Sequence, residues 1–330
     1  MSLTTEWIGN YIGIRHKLDG EGGSRGPPHV NDAGSPKNET EVGMTEGVER
    51  KEQGAGKAGL ERAVSDHYGG EALAERILGA LEEMGVSPDR VRPADLVPVE
   101  ELHIGGREAT EYLVEKLKLE PSHHLLDVGC GIGGTARHVV ERYGCRVTGL
   151  DLTPGFVRTA HLLTRVVGFH RKAVFHVGSA LSLPYEEAAF DAAVSVHVAM
   201  NIRDRGRLYR EMGRVLRAGA PVGLFDVTTT GREGLNYPVP WAETPATSHL
   251  ITPQEMVERL EAAGFEIEET EDRTAFAIDF FRRMFEQAPE SPPPLGSHLV
   301  MEEGRRKLGN VLAALEQGAI VPFLVVARRR

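Results

Sequence analysis

Apolar positions recur at helical spacing at Leu73, Ile77, Leu81 and Met84, and again at Ala109, Leu113 and Leu117. These predict amphipathic helices over Glu71–Met84 and from Gly106 onward. The rhythm then changes. Short apolar runs stand at His124–Val128, Arg146–Leu150, Ala173–Val177, Asp191–Val198 and Pro221–Val227, with helical periodicity between them. Strands that alternate with helices bury both faces of a parallel sheet joined by right-handed crossovers, so the fold class is α/β. Thr153 followed by Pro154 marks the start of one crossover helix, and Leu208, Met212, Val215 and Leu216 line another before Gly219. Pro253–Ala263 resumes as a helix. Two late strands are predicted at Gly264–Thr274 and Ile320–Arg328, on either side of helical material at Phe276–Gln287 and Leu299–Gln317.

Organisation follows from where this patterning stops. Residues 1–57 are rich in Gly, Glu, Ser and Asn and are expected to be a disordered tail, with Trp7, Ile8, Tyr11 and Ile12 able to form a short docking helix. Residues 58–120 read as a helical cap ahead of the sheet, and residues 121–330 as the main domain. The stretch 228–252 carries Pro, Gly and aromatic residues without periodicity, which marks it as a lid over a site on the sheet.

Bulk chemistry narrows the partners. A net charge of −10 supplies no counterion-release energy toward a phosphate backbone, so nucleic acid is disfavoured. Two cysteines, Cys130 and Cys145, are too few for a disulfide scaffold or a four-thiolate metal site, and no metal is expected. A reducing, cytoplasmic setting suits them. Neither a membrane-spanning apolar run nor a secretion signal is read. Oligomeric state is left open.

The first strand runs into Asp127-Val128-Gly129-Cys130-Gly131-Ile132-Gly133-Gly134. Glycines at such a strand-to-helix turn adopt positive φ and let a nucleotide-like ligand approach the backbone. Gly129, Gly131 and Gly134 also satisfy the dinucleotide fingerprint, so a nicotinamide oxidoreductase is an alternative. Asp151 ends the second strand, 22 residues after Gly129, where a carboxylate can accept from a ribose diol. That feature serves any cofactor with a ribose diol. Asp127 discriminates, since a pyrophosphate placed there would meet like charge, whereas an amino-acid ammonium would be attracted.

With Gly178-Ser179-Ala180-Leu181-Ser182-Leu183-Pro184-Tyr185, Phe190-Asp191-Ala192-Ala193-Val194 and Arg214-Val215-Leu216-Arg217-Ala218-Gly219 following in order, residues 63–328 resemble the class I S-adenosylmethionine-dependent methyltransferases. The resemblance implies a doubly wound, Rossmann-like sheet of seven strands, mostly parallel with an antiparallel last strand. It implies that Asp127, Gly129, Cys130, Gly131 and Gly133 hold the methionine part of S-adenosylmethionine, Asp151 and Leu152 the ribose, and Ser179 and Ala180 the adenine. Many relatives carry Asp where Ser179 stands, so a shorter, neutral acceptor is expected at the adenine amine. Within the family, His67-Tyr68-Gly69, Leu102-His103-Ile104-Gly105-Gly106 and His197-Val198-Ala199-Met200-Asn201-Ile202 resemble the group of sarcosine and dimethylglycine N-methyltransferases and quinone and tocopherol C-methyltransferases.

Methyl transfer from a sulfonium needs an aligned lone pair and exclusion of water more than a protein nucleophile. His197 leaves the fourth strand at the carboxyl edge of the sheet, where ligands of open α/β folds bind. It is expected to border the cofactor and to take a proton from the acceptor or to orient it. Tyr68, His103, Asn201, Tyr237 and Trp241 are the expected lid and acceptor contacts, an aromatic lid suiting a methylated ammonium or a flat quinol. The expected acceptor is a small molecule, first an amine such as sarcosine or dimethylglycine, with C- or O-methylation of a quinol or phenol as the alternative. A catalytically silent adenosylmethionine-binding protein is the remaining reading.

Overall fold

The computed structural model describes residues 73–289 and 291–330. The tail expected over residues 1–57, and the start of the cap up to residue 72, lie outside them. Among the described residues three helices precede the sheet: α1 (Leu73–Glu83), α2 (Pro93–Glu100) and α3 (Gly106–Lys116). Then follow β1 (His124–Val128), α4 (Gly134–Tyr143), β2 (Arg146–Asp151), α5 (Pro154–Val166), β3 (Ala173–Val177), β4 (Ala192–Val196), α6 (Arg205–Val215) and β5 (Pro221–Thr229). The chain ends with α7 (Pro253–Ala262), β6 (Phe265–Asp272), α8 (Thr274–Glu286), α9 (Gly304–Glu316) and β7 (Ile320–Arg329).

The seven strands form one sheet in the order β3-β2-β1-β4-β5-β7-β6. The first five are parallel, and β7 runs antiparallel between β5 and β6. The parallel strands are those that the strand–helix alternation predicts, and the doubly wound sheet of seven is what the resemblance implies. The order reverses between β1 and β4, and a crevice opens at the carboxyl ends there. Successive residues of each strand feed opposite faces. Leu125, Val147, Val194, Phe225 and Val326 pack toward α3, α4, α8 and α9, while Leu126, Leu150, Ala193, Leu224 and Val325 pack toward α6 and α7. Both faces are therefore core, and each fully buried Leu, Val or Phe contributes about 1.5–3 kcal/mol.

Helix α2 is the element that periodicity did not reveal, because eight residues containing Pro93 and Pro98 leave no readable apolar stripe. It is held by Asp95, whose carboxylate accepts from the Arg92 N–H at 2.8 Å. It packs on α4 through charge. The Glu100 carboxylate, fully buried, is paired with Arg137 of α4 and with Arg107 of α3 at 2.8 Å. Two arginines offset the desolvation that pushes the Glu100 carboxyl above its usual range. A methyl group on Gly134 would come within 3.0 Å of the Glu100 side chain, so glycine lets the start of α4 approach the end of α2. The helices ahead of the sheet are thus tied to the turn that follows β1.

Residues 230–252 do not form a separate layer. Val239 and Ala242 exchange backbone hydrogen bonds of 2.8 and 3.1 Å, and both are buried with Trp241.

Candidate active site

Five segments meet at the carboxyl edge of the parallel strands. Gly129, Gly131 and Gly133 have φ of 76°, 53° and 90°, values that an L side chain rarely adopts. Their turn is pinned from β2: the Leu150 carbonyl accepts from the N–H groups of Gly129 and Cys130, and the Asp151 carboxylate accepts from the Gly131 N–H at 2.9 Å. The other Asp151 oxygen accepts from the Thr153 N–H at 2.8 Å. Thr153 precedes α5 as expected, although its hydroxyl makes no cap; the Asp151 carboxylate serves that backbone instead. Gly178 donates to the Asp151 carbonyl, which ties the segment of Ser179 and Ala180 to the end of β2. The Ser179 hydroxyl accepts from the Leu181 N–H at 3.2 Å.

Asp127 is left partly unsatisfied at this edge. It is 3% exposed, and its Oδ2 has no hydrogen-bond partner. Burial, together with the carboxylates of Asp151 and Glu101, pushes its pKa up to about 8. Burial raises the Asp151 carboxyl as well, and the thiol of buried Cys130. A cation would relieve this clustering of acids.

His197 follows β4 with φ of +53°, a left-handed conformation that a non-glycine residue adopts at a cost of order 1 kcal/mol. Its own N–H donates to the Phe225 carbonyl at 2.7 Å. The next two N–H groups, of Val198 and Ala199, are both accepted by Asp226 Oδ1 at 3.0 and 3.1 Å. Asp226 is fully buried in β5 and faces Arg205 at 3.9 Å. These anchors aim the His197 ring at His103, centroid to centroid 5.8 Å. His197 Nε2 is buried without a hydrogen-bond partner, and desolvation holds its pKa well below the ordinary histidine value.

The expected lid residues divide. Tyr68 lies outside the described residues. His103 joins the site. Asn201 is an anchor: its amide donates to the Trp241 carbonyl at 2.6 Å and to the Thr247 carbonyl at 3.0 Å, stitching residues 230–252 to the turn after β4. Trp241 is 3% exposed and donates to the Ser248 hydroxyl at 3.0 Å, so its ring is core rather than an open platform. Tyr237 is half-buried against the same cluster. Replacing Asn201 by alanine should lower stability by about 1–3 kcal/mol, the value of two neutral hydrogen bonds. Hydrogen exchange should then quicken within residues 230–252, and an unaltered exchange pattern would remove the anchoring role.

Sequence reasoning passed over Glu101, Thr110, Arg205 and Asp226. Two of them had a signal: Glu101 stands in an acidic pair just before His103, and Asp226 interrupts the apolar run of β5. Among the described residues no group of three or more His, Cys, Asp or Glu is gathered to hold a metal, and no helix is long and apolar enough to cross a membrane.

Comparison with known proteins agrees with this geometry. Residues 126–222 match the family described as Methyltransferase domain. Norajmaline N-methyltransferase of Rauvolfia serpentina is 38% identical over 99 residues, 30% of this chain and 34% of that protein. The chain spans about a third of the length of such curated relatives. Among solved structures, the (4+2)-cyclase SpnF is 26% identical with a TM-score of 0.53, over 67% of this chain and 80% of that one. A geranyl diphosphate methyltransferase in complex with GPP and sinefungin is 17% identical with a TM-score of 0.62, over 82% and 100%. With that domain match, the sheet order and the glycine turn together, residues 126–222 are a methyltransferase domain on a Rossmann-like sheet.

Proposed function

We propose that this protein binds S-adenosylmethionine and transfers its methyl group to a small-molecule acceptor, an amine first and a hydroxyl, phenol or carbon nucleophile next. The reading rests on Asp127: a buried carboxylate oxygen without a partner, beside a glycine turn whose Gly131 has nothing within 4 Å of where a side chain would begin. That combination fits an amino-acid ammonium lying against exposed backbone. In this reading Asp127, Gly129, Cys130, Gly131 and Gly133 hold the methionine part, Asp151 and Leu152 the ribose, and Ser179 and Ala180 the adenine edge. When bound, the cofactor supplies a methyl group activated on a sulfonium. The protein's own part is to orient the acceptor, exclude water and take up a proton. His103 and His197 face one another for that purpose.

Sarcosine and dimethylglycine are the first acceptors to assay, with phenols and quinols beside them. The cations of the neighbourhood, Arg107 and Arg205, are already paired with buried carboxylates, so simple amines without a carboxylate belong in the same panel. Both cysteines are free and buried, in keeping with a reducing, cytoplasmic setting. One observation favours a second reading, in which the cofactor is held but its methyl is not transferred: a solved relative in fold is named a cyclase. Release of S-adenosylhomocysteine on incubation with the acceptor panel separates the two.

Asp151→Ala should weaken S-adenosylmethionine binding by about 1.5–3 kcal/mol, as for hydrogen bonds to a charged group. Calorimetry checks this, and an unchanged affinity would take Asp151 out of the site.

A further inference from the structure

Two imidazoles face each other at the acceptor end, and their surroundings differ. His103 lies on the short connection between α2 and α3, bent back by Gly105 and Gly106 at φ of 84° and 49°. A side chain on Gly105 would meet Phe276 at 2.5 Å, so the glycine also lets this connection sit close to α8. His103 Nε2 lies 3.0 Å from the Gly106 carbonyl and 3.0 Å from Thr110 Oγ1. A carbonyl only accepts, and the Thr110 hydroxyl spends its own proton on Glu101 Oε2 at 2.9 Å. Nε2 must therefore carry the hydrogen, and Nδ1 carries the lone pair. Behind it the Glu101 carboxylate stands 3.6 Å from the same Nε2.

An imidazolium at His103 thus has a carboxylate and two hydrogen-bond acceptors to support it. An imidazolium at His197 would be buried against the Phe225 ring at 5.0 Å, with no partner at Nε2 and a second imidazole as its polar neighbour. Unsupported buried charge is costly, so His197 stays neutral.

We infer that His103, backed by Glu101, is the group that takes the acceptor's proton, and that His197 orients the acceptor as a neutral hydrogen-bonding partner. The inference rests on the proposed methyl transfer and narrows its substrate: the acceptor must lose a proton as it is methylated, which selects a hydroxyl, a phenol or an N–H amine over a tertiary amine or a thioether. In the transfer, the acceptor's lone pair bonds the methyl carbon and the carbon–sulfur bond breaks with its pair on sulfur. The acceptor's bond to hydrogen breaks, and that proton joins His103 Nδ1. Glu101 is a positioning residue, acting through His103.

The charged groups around His103 set the sign of the pH dependence. Burial lowers its pKa first, Glu101 and the Gly106 carbonyl raise it, and Arg107 of α3, itself paired with Glu101 and Glu100, lowers it. Activity should rise with pH through a limb below the ordinary histidine range and then level off. His103→Ala should lower kcat by about 10²–10⁴-fold and abolish that limb. His197→Ala should act mainly on acceptor KM and keep the limb, and Glu101→Gln should move the limb to lower pH by withdrawing support from the imidazolium. Calorimetry with sinefungin establishes that each variant is folded, and His103→Gln serves where the alanine variant is not.

A readout without turnover comes from long-range proton–nitrogen spectra of the histidines in the wild-type protein. His103 should be the Nε2-protonated tautomer and should titrate at higher pH than His197. If His197 titrates first, or its alanine variant alone loses the limb, the inference is overturned. If no acceptor is methylated yet His103 titrates first in its Nε2 tautomer, the proposed reaction fails while the assignment of the proton-accepting imidazole stands.

Discussion

Replacing Asp127 by asparagine is expected to weaken S-adenosylmethionine binding by about 3–5 kcal/mol, the typical cost of removing one partner from a buried ion pair. The carboxylate is 3% exposed, and its free oxygen is the group positioned to meet an ammonium. The same substitution should alter stability in the opposite direction. With its pKa pushed up to about 8, folded Asp127 is protonated at pH values where the unfolded carboxyl is already ionised. Between about pH 4 and pH 8 the folded state then holds more protons, so stability falls as pH rises across that window. Thermal melts of the cofactor-free protein should show this decline. Asparagine should flatten it and leave the variant more stable than the parent above pH 8. A residual slope belongs to Glu100, Asp151 and Asp226, whose carboxyls burial also raises. Because the ammonium favours the ionised carboxylate, binding in this window should release a proton, measurable as a buffer dependence of the calorimetric heat. Unchanged affinity together with an unchanged pH slope would mean that Asp127 is neither neutral in the free protein nor a ligand.

Gly129→Ala should cost about 2–5 kcal/mol in the binding-competent turn, from the left-handed backbone and from overpacking together. Its added methyl would lie 2.2 Å from Val198 Cγ2, on the turn that carries His197, so both the melting temperature and cofactor affinity should fall. Gly131→Ala separates the two effects. Nothing stands within 4 Å of its added methyl, and φ of +53° is its main penalty, so this variant should fold with a small loss while its methyl obstructs the ligand. Parallel melts and titrations of both variants test the contrast. A Gly129→Ala protein that binds the cofactor as tightly as the parent would show that Val198 yields and that the close approach carries no function.

The order of strands and helices was legible because its cause is local. Burial on both faces leaves short apolar runs, and β1 to β5 stand close to where those runs predict them. The glycine turn was legible for the same reason, since Gly129, Gly131 and Gly133 need positive φ whatever surrounds them. Helix α2 was not, because Pro93 and Pro98 leave no readable stripe and Glu100 is placed by Arg107 and Arg137, residues of two other helices. The aromatics of residues 228–252 read as a substrate lid, yet Trp241 is buried. Aromatic content alone does not tell a ligand-facing ring from a core ring, and that choice is made by Asn201 and Ser248 across the fold.

Sequence by itself determined the α/β class, the glycine turn and the acidic ends of β1 and β2, since each follows from backbone conformation or from a periodicity carried within one segment. Tertiary structure alone decided which acid is left unsatisfied and which histidine has support. Asp151 is occupied by the N–H groups of Gly131 and Thr153 while Asp127 keeps a free oxygen. His103 is backed by Glu101 and Thr110 while His197 has an unpartnered Nε2. Proton affinity depends on burial and on charges brought together from separate elements, and the packed chain is where those are set.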